Sequence, residues 1–436
     1  MLRSLTLGIL GLILLYGCDS GDSSGGPTGQ SSTPGVLRGC AVDPQPLTAP
    51  GGYYTNGASV CAVDGTAHLF HGVDRPSMEW GSTGENIGAD DFAAMASWHA
   101  NVVRIALNQD FWLSGAALYD PQYQGRVAAA VKAAEAAGLD VILDLHWSDQ
   151  GNLSVTKLQG QDQPGTSNQQ QMADVNSKQF WTEVATTYQG DGHVLFELYN
   201  EPNTISWTVW LNGGSASGYQ VVGMQELYDT VRATGANNLV IAGGLSYSFD
   251  LSGVRSTPIK GYNVLYATHP YKPQDAESRW ESAFGYLATN DTAPVIATEF
   301  GDGTDKCTGA WDSDLIKFAD QHQISWTAWA WYPSGCNFPA LISDWDEHTP
   351  TVQGQAVQAA LLAYPYAPAG SVGTADGGVG AGGEGGGESG IGMTGSDGGL
   401  SSTGGASSTG GASSTGGASS TGGGSADAGA AGALTQ

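Results

Sequence analysis

The chain has 436 residues, with 42 acidic and only 15 basic side chains, and its formal net charge is −27. That length allows one large domain or two ordinary ones. Because nucleic-acid binding requires a basic surface, this charge argues against a nucleic-acid partner. A neutral polysaccharide is not repelled, and the 13 Trp and 17 Tyr residues offer flat faces for sugar rings, although large barrels also bury many aromatic residues.

The N-terminus has the features of an export signal. Arg3 precedes a mostly apolar run over residues 4–16, which is too short for a comfortable membrane span. The run ends in Leu-Tyr-Gly-Cys, which resembles a bacterial lipoprotein cleavage box in which the cysteine, here Cys18, becomes lipidated. Tyr16 departs from the small residue usual in that box, so a plain secretory signal is the alternative. Either way we expect an exported protein, secreted or anchored at the cell surface by that lipid alone.

Cysteine usage fits an oxidising compartment. If Cys18 carries a lipid, four cysteines remain, and four cysteines allow three pairings. We favour Cys40–Cys61 and Cys307–Cys336, because the members of each pair are close in sequence and lie in matching loop regions. The sequence has no CxxC motif or Cys/His cluster of the kind that binds zinc, and we predict no metal ligands.

The central part of the chain alternates short apolar runs with helix-like segments. "GRVAAAVKAAEAAG" and "VGMQELYDTVRATG" are typical helical segments, and the second ends at Gly235, a common helix stop. Eight apolar runs are predicted strands, and they begin near residues 68, 101, 140, 193, 238, 264, 294 and 324. Eight βα repeats predict an α/β fold of the (β/α)8 TIM-barrel type. An open doubly wound sheet is the competing fold, but the Gly-rich phosphate turn typical of it is missing after the early strands.

These patterns divide the chain into four segments. Beyond the barrel, the repeat "ASSTGG" recurs with a period of six residues and without apolar periodicity, so no core can form there. We predict an export signal, a flexible Gly/Ser/Pro linker, a barrel domain and a disordered Gly/Ser/Thr-rich tail, over residues 1–18, 19–37, 38–368 and 369–436 respectively.

Polar and aromatic side chains follow the predicted strands, at the end where TIM barrels carry their active sites. Strand alternation puts His269 on the face of Ala267 and Glu299 on the face of Ala297, and we expect small residues on the face that fills the barrel. A single polar residue at a strand end is usually a solvated cap, but a dozen on one rim indicate a site. They are Asp74, Arg75, Arg104, Asn108, His146, Asn200, Glu201, His269, Tyr271, Glu299, Trp329 and Trp331.

Two of these residues are predicted to face each other across the mouth of the barrel. Glu201 follows the fourth strand and Glu299 follows the seventh. Facing carboxyl groups suit glycoside hydrolysis, in which one protonates the leaving oxygen and the other attacks the anomeric carbon or activates water. Glu197 and Asp144 fall on inward faces but one layer deeper, and we predict structural roles for them.

The same residues occur in motifs that resemble those of glycoside hydrolase family 5, a family of barrel enzymes with Glu on the fourth and seventh strands. The resemblance extends over about 300 of the 436 residues. Its motifs are "VVRI" with Arg104, "DLHW" with His146, "NEP" at 200–202, "THPY" at 268–271, "TEFG" at 298–301 and "WTAWAW" at 326–331.

The resemblance implies a role for each residue of the pair and for the residues that support the nucleophile. Glu201 would be the acid/base, and Glu299 would be the nucleophile of a double displacement with net retention. Arg104 and Tyr271 would keep Glu299 charged and oriented, and His269 would lie beside the site. Arg104 could instead be only a structural partner of an inward acid such as Glu197.

The resemblance also implies which residues contact the sugar. Asn200 would bind the 2-hydroxyl, His146 would contact the sugar next to the cleavage point, and Trp329 would form the floor under it, ahead of Trp331. His146 and His269 could also be no more than packed strand-end histidines. Stacking on outer sugars is left open among five residues, Trp80, Trp112, Trp147, Trp207 and Trp210.

We therefore expect a monomeric endo-acting hydrolase of β-1,4-glucan that needs no cofactor. β-Mannanase and hydrolysis of other β-glucans or xyloglucan are the alternatives within enzymes. Outside enzymes, the alternatives are a non-catalytic sugar-binding barrel and a structural surface lipoprotein.

Overall fold

The computed structural model describes most of the chain between residues 37 and 365. Eight strands form a closed barrel, and every neighbouring pair in it is parallel. The predicted TIM-barrel fold is therefore confirmed. The described residues are 37–40, 47–158, 168–216, 218–272, 275–304, 306 and 308–365.

The barrel strands coincide with the eight apolar runs of the sequence, and most are shorter than those runs. In order around the barrel they are β4 (His71–Arg75), β5 (Val102–Asn108), β6 (Asp140–Trp147), β7 (Val194–Glu197), β10 (Val240–Gly243), β11 (Val264–Ala267), β13 (Val295–Ala297) and β15 (Ser325–Ala328). Extended backbone continues past β7, since the Leu198 and Asn200 amides still donate to carbonyls of the adjacent strands.

The other strands form three small sheets outside the barrel. One is three-stranded and antiparallel, and the others are a hairpin and a parallel pair near the rim. They are β1 (Tyr53–Asn56), β2 (Ser59–Ala62) and β3 (Ala67–His68), then β8 (Gly214–Ala216) with β9 (Tyr219–Val221), and β12 (Tyr271–Lys272) with β14 (Gly301–Asp302).

Helices surround the barrel, and the two predicted helical segments form α3 and α6. Gly235, just beyond α6, has a φ of +92°, a left-handed conformation that favours glycine at a helix end. The helices are α1 (Ala89–Ser97), α2 (Gln109–Trp112), α3 (Tyr123–Ala136), α4 (Ser177–Tyr188), α5 (Trp207–Asn212), α6 (Met224–Ala233), α7 (Glu277–Trp280), α8 (Tyr286–Thr289), α9 (Ala310–His322) and α10 (Val352–Ala363), with a π-helical turn over Glu281–Gly285.

The sheet has two hydrophobic faces, as expected for parallel strands covered by helices. Alternate residues such as Val103 and Phe196 pack outward in the large core against the helices. Their neighbours Val102 and Leu195 pack inward in a smaller core, which Tyr53, Val60 and Phe70 close at the end of the barrel where the strands begin.

One argument from strand alternation was wrong. Val295 and Ala297 pack in the outer core and Ile296 packs in the inner one. Glu299 therefore does not share an inward face with Ala297. It reaches the mouth because β13 ends at Ala297, two residues earlier, and the alternation of a strand does not extend beyond its end.

Several sequence predictions concern residues outside the described part. The Cys40–Cys61 disulfide is present, but Cys307 is not described, so its pairing with Cys336 stays a prediction. The export signal, the lipidation of Cys18, the linker except residue 37 and the whole of the tail also lie outside the described residues. Within the described ranges, no helix combines the length and apolar character needed to cross a membrane.

Candidate active site

Arg104 is the electrostatic centre of the mouth. Its fully buried guanidinium donates from Nε to Glu197 at 2.5 Å and from Nη1 to Glu299 at 2.7 Å. It also contacts Asp74 at 3.1 Å and Asp144 at 3.0 Å. A buried charge is tolerated only when it is paired and hydrogen-bonded, and here one cation serves four carboxylates. Arg104 is thus both the ion-pair partner of the buried Glu197 and a direct neighbour of Glu299.

Glu299 is held as a carboxylate. One oxygen accepts from Arg104, and the other accepts from the Tyr271 hydroxyl at 2.8 Å. Burial by itself raises the pKa of Glu299, but the nearby charges of His269, Arg104 and His146 and the Tyr271 hydrogen bond outweigh it and lower that pKa. Glu299 is therefore negatively charged near neutral pH.

His269 connects Glu201 to the buried network. The His269 Nδ1 atom lies 3.0 Å from Glu201 Oε1, and Nε2 lies 2.9 Å from the Thr298 hydroxyl. That hydroxyl donates its own hydrogen to Glu197, so His269 Nε2 carries a hydrogen and donates to Thr298. The exchangeable proton is consequently located between Nδ1 of His269 and the carboxyl group of Glu201.

The charge state of His269 depends strongly on Glu299. Burial lowers the pKa of His269, but the charge of Glu299 in first place, followed by the nearby carboxylates of Glu197 at 3.8 Å and Glu201 at 3.0 Å, raises it to about 10. Glu201 itself is the more accessible carboxyl of the pair, with 19% of its side chain exposed against 5% for Glu299. The pair formed by Glu201 and His269 thus holds a proton at the open side of the site.

Glu201, His269 and Glu299 form the one group of potential metal ligands found among the described residues. One oxygen of each carboxylate and one ring nitrogen lie within 4.8 Å of one another. Each of the three is already engaged by a hydrogen-bonding partner, and Arg104 brings a positive charge against Glu299. The arrangement is therefore better suited to moving a proton between carboxyl groups than to binding a cation.

Asn200 is oriented from both ends of its amide. Its oxygen accepts from Arg104 at 2.7 Å, and its nitrogen lies 3.0 Å from Gln169 Oε1 and 3.2 Å from His146 Nε2. Gln169 also donates to the Glu201 carbonyl at 3.0 Å. Gln169 was not predicted, because it comes from a loop, and neither motif nor periodicity indicates where a loop residue will lie.

The two tryptophans after β15 have different surroundings. Trp329 stacks on His146, with ring centroids 5.6 Å apart and an interplanar angle of 18°. Trp331 is fully buried and donates to Asp91 at 2.7 Å. Of these two tryptophans, Trp329 lies beside the predicted site residue His146 and Trp331 does not. Trp329 is therefore the better candidate for the floor of the site.

All eight predicted site residues come together at the mouth, but other candidates do not. Asn108 caps α2, and Arg75 pairs with Asp91. Of the tryptophans left open, Trp112 and Trp210 are buried in the core. Asp74, one of the rim candidates, and Asp144, predicted to be structural, both lie close to the site, because both contact the same guanidinium as Glu299.

Comparisons with known proteins identify the family of the chain. The sequence model of the family described as "Cellulase (glycosyl hydrolase family 5)" matches residues 61–335. The chain is 25% identical over 351 residues to endoglucanase C of Evansella cellulosilytica. The aligned region covers 70% of this chain but only 41% of that protein. It is 24% identical over 325 residues to cellulase CelDZ1 of a Thermoanaerobacterium species, covering 69% of this chain and 77% of the relative.

The fold is shared with a solved structure. A crystal structure of a β-glucanase from Saccharophagus degradans superposes with a TM-score of 0.56 at 24% sequence identity. The match covers 73% of this chain and 97% of that protein.

Proposed function

The chain belongs to glycosyl hydrolase family 5, and on that premise we propose that it is a retaining, endo-acting hydrolase of β-1,4-linked glucan. The observation that carries the proposal is the pair formed by Glu201 and Glu299, which face each other with one oxygen of each within 4.8 Å. The names of the relatives, an endoglucanase and a cellulase, favour glucan as the substrate.

Glu299 is the proposed nucleophile. Its lowered pKa and its two hydrogen bonds support an ionised carboxylate aimed by Arg104 and Tyr271. In the first step it attacks the anomeric carbon, and the bond to the leaving oxygen breaks. A covalent glycosyl-enzyme forms, and the carboxylate loses its charge.

Glu201 is the proposed acid and base. In the first step the proton shared with His269 passes from Glu201 to the leaving oxygen. Glu299 contributes most to raising the pKa of His269. When glycosylation removes the charge of Glu299, the pKa of His269 therefore falls, and the pair of His269 and Glu201 holds a proton less tightly. Glu201 can then take a proton from water, which attacks the anomeric carbon and releases Glu299 unchanged.

The remaining residues position the sugar. We propose that Trp329 lies under the ring that is cleaved, with His146 beside it, and that Asn200 binds the 2-hydroxyl. Arg104 fixes the amide oxygen of Asn200, and the amide nitrogen, which lies beside Gln169 and His146, would exchange one of these two partners for the 2-hydroxyl. Hydrogen bonds to the 2-hydroxyl strengthen in the transition state of glycoside hydrolysis, which is why an oriented amide favours catalysis.

The separation of the carboxyl groups supports retention. Retaining glycosidases hold them about 5–5.5 Å apart, whereas inverting enzymes keep about 6.5–9.5 Å to admit a water molecule. One oxygen of Glu201 lies within 4.8 Å of one oxygen of Glu299, which favours the shorter of the two separations. We therefore expect the β-anomer to be the first product, measurable by proton NMR during hydrolysis of a cello-oligosaccharide.

The assignment is tested with a substrate panel and two variants. Purified protein is assayed on carboxymethyl cellulose, barley β-glucan, xyloglucan and mannan, together with Glu299→Gln. Glu277→Gln is the matched control, because it makes the same chemical change at an exposed residue of α7. We expect glucan activity that the control retains and Glu299→Gln loses by at least about a thousandfold, as for removal of a catalytic nucleophile.

Three results would contradict parts of the proposal. Equal activity of Glu299→Gln and the parent would refute the nucleophile. An α-anomer as first product would refute retention. A clear preference for mannan would keep the mechanism but replace the proposed substrate, since the two polymers differ at the second carbon of the sugar.

We also propose that the protein is exported and acts outside the cytoplasm as a monomer. Support comes from the N-terminal sequence and from the Cys40–Cys61 disulfide, which is typical of oxidising compartments. Metabolic labelling with a radioactive fatty acid tests the lipid anchor, and Cys18→Ala is its control.

A further inference from the structure

Aromatic side chains continue from the floor of the site along one side of the mouth. The rings of Trp329 and Phe338 have centroids 5.6 Å apart, and Phe338 is 5.7 Å from Tyr332 and 6.3 Å from Trp80. Trp80 and Tyr332 are 5.5 Å apart, edge to face. We call Trp80, Tyr332 and Phe338 the aromatic platform. All three are partly exposed, unlike the core tryptophans.

An exposed carboxylate joins two of these rings. Glu85 accepts from the Trp80 indole at 3.0 Å with one oxygen and from the Tyr332 hydroxyl at 2.7 Å with the other. Trp80 follows β4 and Tyr332 follows β15, so this single side chain connects loops from the first and last barrel strands. Exposed aromatic side chains lose conformational freedom when they bind, and a shared acceptor removes part of that cost in advance.

The backbone of Glu85 is itself fixed from within the protein. Its amide donates to the Ser77 hydroxyl at 3.0 Å, and its carbonyl accepts from the Arg75 guanidinium. Ser77 has a φ of +108°, a strained conformation that persists only where the surroundings determine it. The loop that presents Glu85 is therefore held in one conformation.

Arg75 anchors the loop that carries Glu85 to the barrel core. It is fully buried and pairs with Asp91 at 2.5 Å. Its guanidinium also lies 4.5 Å from the ring centroid of Trp345, which packs edge to face against Tyr332. This polar residue at the end of the first strand has no place in the chemistry proposed above. It connects the barrel core to the aromatic platform instead.

We propose that Glu85 is a positioning residue that fixes Trp80 and Tyr332 as a binding surface for sugar rings beyond the one over Trp329. The inference rests on the proposed function and adds a determinant of chain-length preference to it. β-Linked glucan is the occupant that fits, because it is neutral beside an acidic protein and its flat sugar faces match aromatic rings. The surface is also continuous with Trp329.

The test measures kcat and KM separately on cello-oligosaccharides from cellotriose to cellohexaose. Glu85→Ala should raise KM for cellohexaose about threefold to tenfold, the size expected for weakening one aromatic contact. It should leave kcat and the kinetics on cellotriose close to those of the parent. Glu347→Ala is the matched control, because Glu347 is an exposed carboxylate in the neighbouring loop.

A conservative variant separates positioning from charge. In Glu85→Gln, the amide oxygen can accept from the Trp80 indole and the amide nitrogen can donate to the Tyr332 oxygen, so both connections survive without the charge. We expect its KM to return to the parental value. Tyr332→Phe keeps the ring but loses the hydroxyl, and we expect part of the loss seen in Glu85→Ala. This variant also serves if Glu85→Ala fails to fold.

The outcomes distinguish this inference from the proposed function. A parent protein that cleaves no β-glycan refutes the function and with it this inference. An active parent whose KM for cellohexaose is unchanged in both Glu85→Ala and Tyr332→Phe refutes the inference alone. A Glu85→Gln variant as impaired as Glu85→Ala refutes the positioning role and indicates an effect of charge.

Discussion

Replacing Glu197 with Gln should destabilise the protein without changing its shape. The Glu197 carboxylate is fully buried and accepts from Arg104 at 2.5 Å and from Thr298 at 2.7 Å. Burial by itself raises the pKa of Glu197, but the charge and hydrogen bond of Arg104 and the nearby charge of His269 lower it to about 2. The substitution keeps the volume and one acceptor oxygen but removes the charge that these partners stabilise.

The change in the pKa of Glu197 on folding gives the expected loss of unfolding free energy. Glu197 moves from 4.5 to about 2 on folding, and one pKa unit corresponds to 1.36 kcal/mol, so its ionisation contributes about 3 kcal/mol to the free energy of unfolding. For a domain of this size that loss lowers the melting temperature by roughly 4 °C.

The loss should depend on pH in a defined direction. Because the pKa is lower in the folded state than in the unfolded state, the contribution is complete above the unfolded value. It disappears as the pH falls through about 2. The difference in stability between parent and Glu197→Gln should thus be constant near neutral pH and about half as large near pH 3.

Urea unfolding followed by tryptophan fluorescence at several pH values measures this difference. Glu277→Gln, at an exposed position, should show no loss at any pH. Equal stability of Glu197→Gln and the parent at neutral pH would refute the reasoning. A loss of the same size near pH 3 as at pH 7 would point to disturbed packing in place of lost charge.

Two further substitutions probe the site and the scaffold. Tyr271→Phe removes a hydrogen bond that lowers the pKa of Glu299, so the acid limb of the kcat/KM profile on an aryl cellobioside should move to higher pH. Tyr262→Phe, at an exposed position, should leave that limb in place. An unmoved limb in Tyr271→Phe would contradict the role of Tyr271. Gly354→Ala puts a Cβ 1.8 Å from the Leu341 carbonyl oxygen and should lower the free energy of unfolding by more than about 2 kcal/mol. Gly125→Ala meets no atom within 4 Å and should stabilise α3 by about 0.5–1 kcal/mol. Equal stabilities of the two variants in urea unfolding would contradict the packing argument.

The barrel was predictable because its signals are local and repeated. Each strand appeared as a short apolar run, and the helices α3 and α6 appeared as periodic segments ending near glycine. Eight of the twelve rim residues were predictable for the same reason, since the ends of the strands of a TIM barrel meet at its mouth. Asn108, Arg75 and Trp331 also follow strands but pack away from the site.

Contacts between loops were not predictable. Gln169 reaches Asn200 from a loop, and Glu85, which follows Trp80 in the same loop, accepts from Tyr332 at a distance of 247 positions in the sequence. No periodicity links such residues, because their positions depend on how each loop packs against its neighbours. The error over Glu299 has a related cause, since β13 is only three residues long and alternation ends with it.

The closed end of the barrel holds both ends of the described domain. Arg38 donates to Gln323 just before β15, and Tyr364 stacks on His71 at the start of β4 with ring centroids 3.9 Å apart. Both ends of the described domain therefore leave from the side where the barrel strands begin. These two contacts fasten the first and last described segments to the side of the barrel away from the mouth, so changes to either segment can be made without touching the site residues.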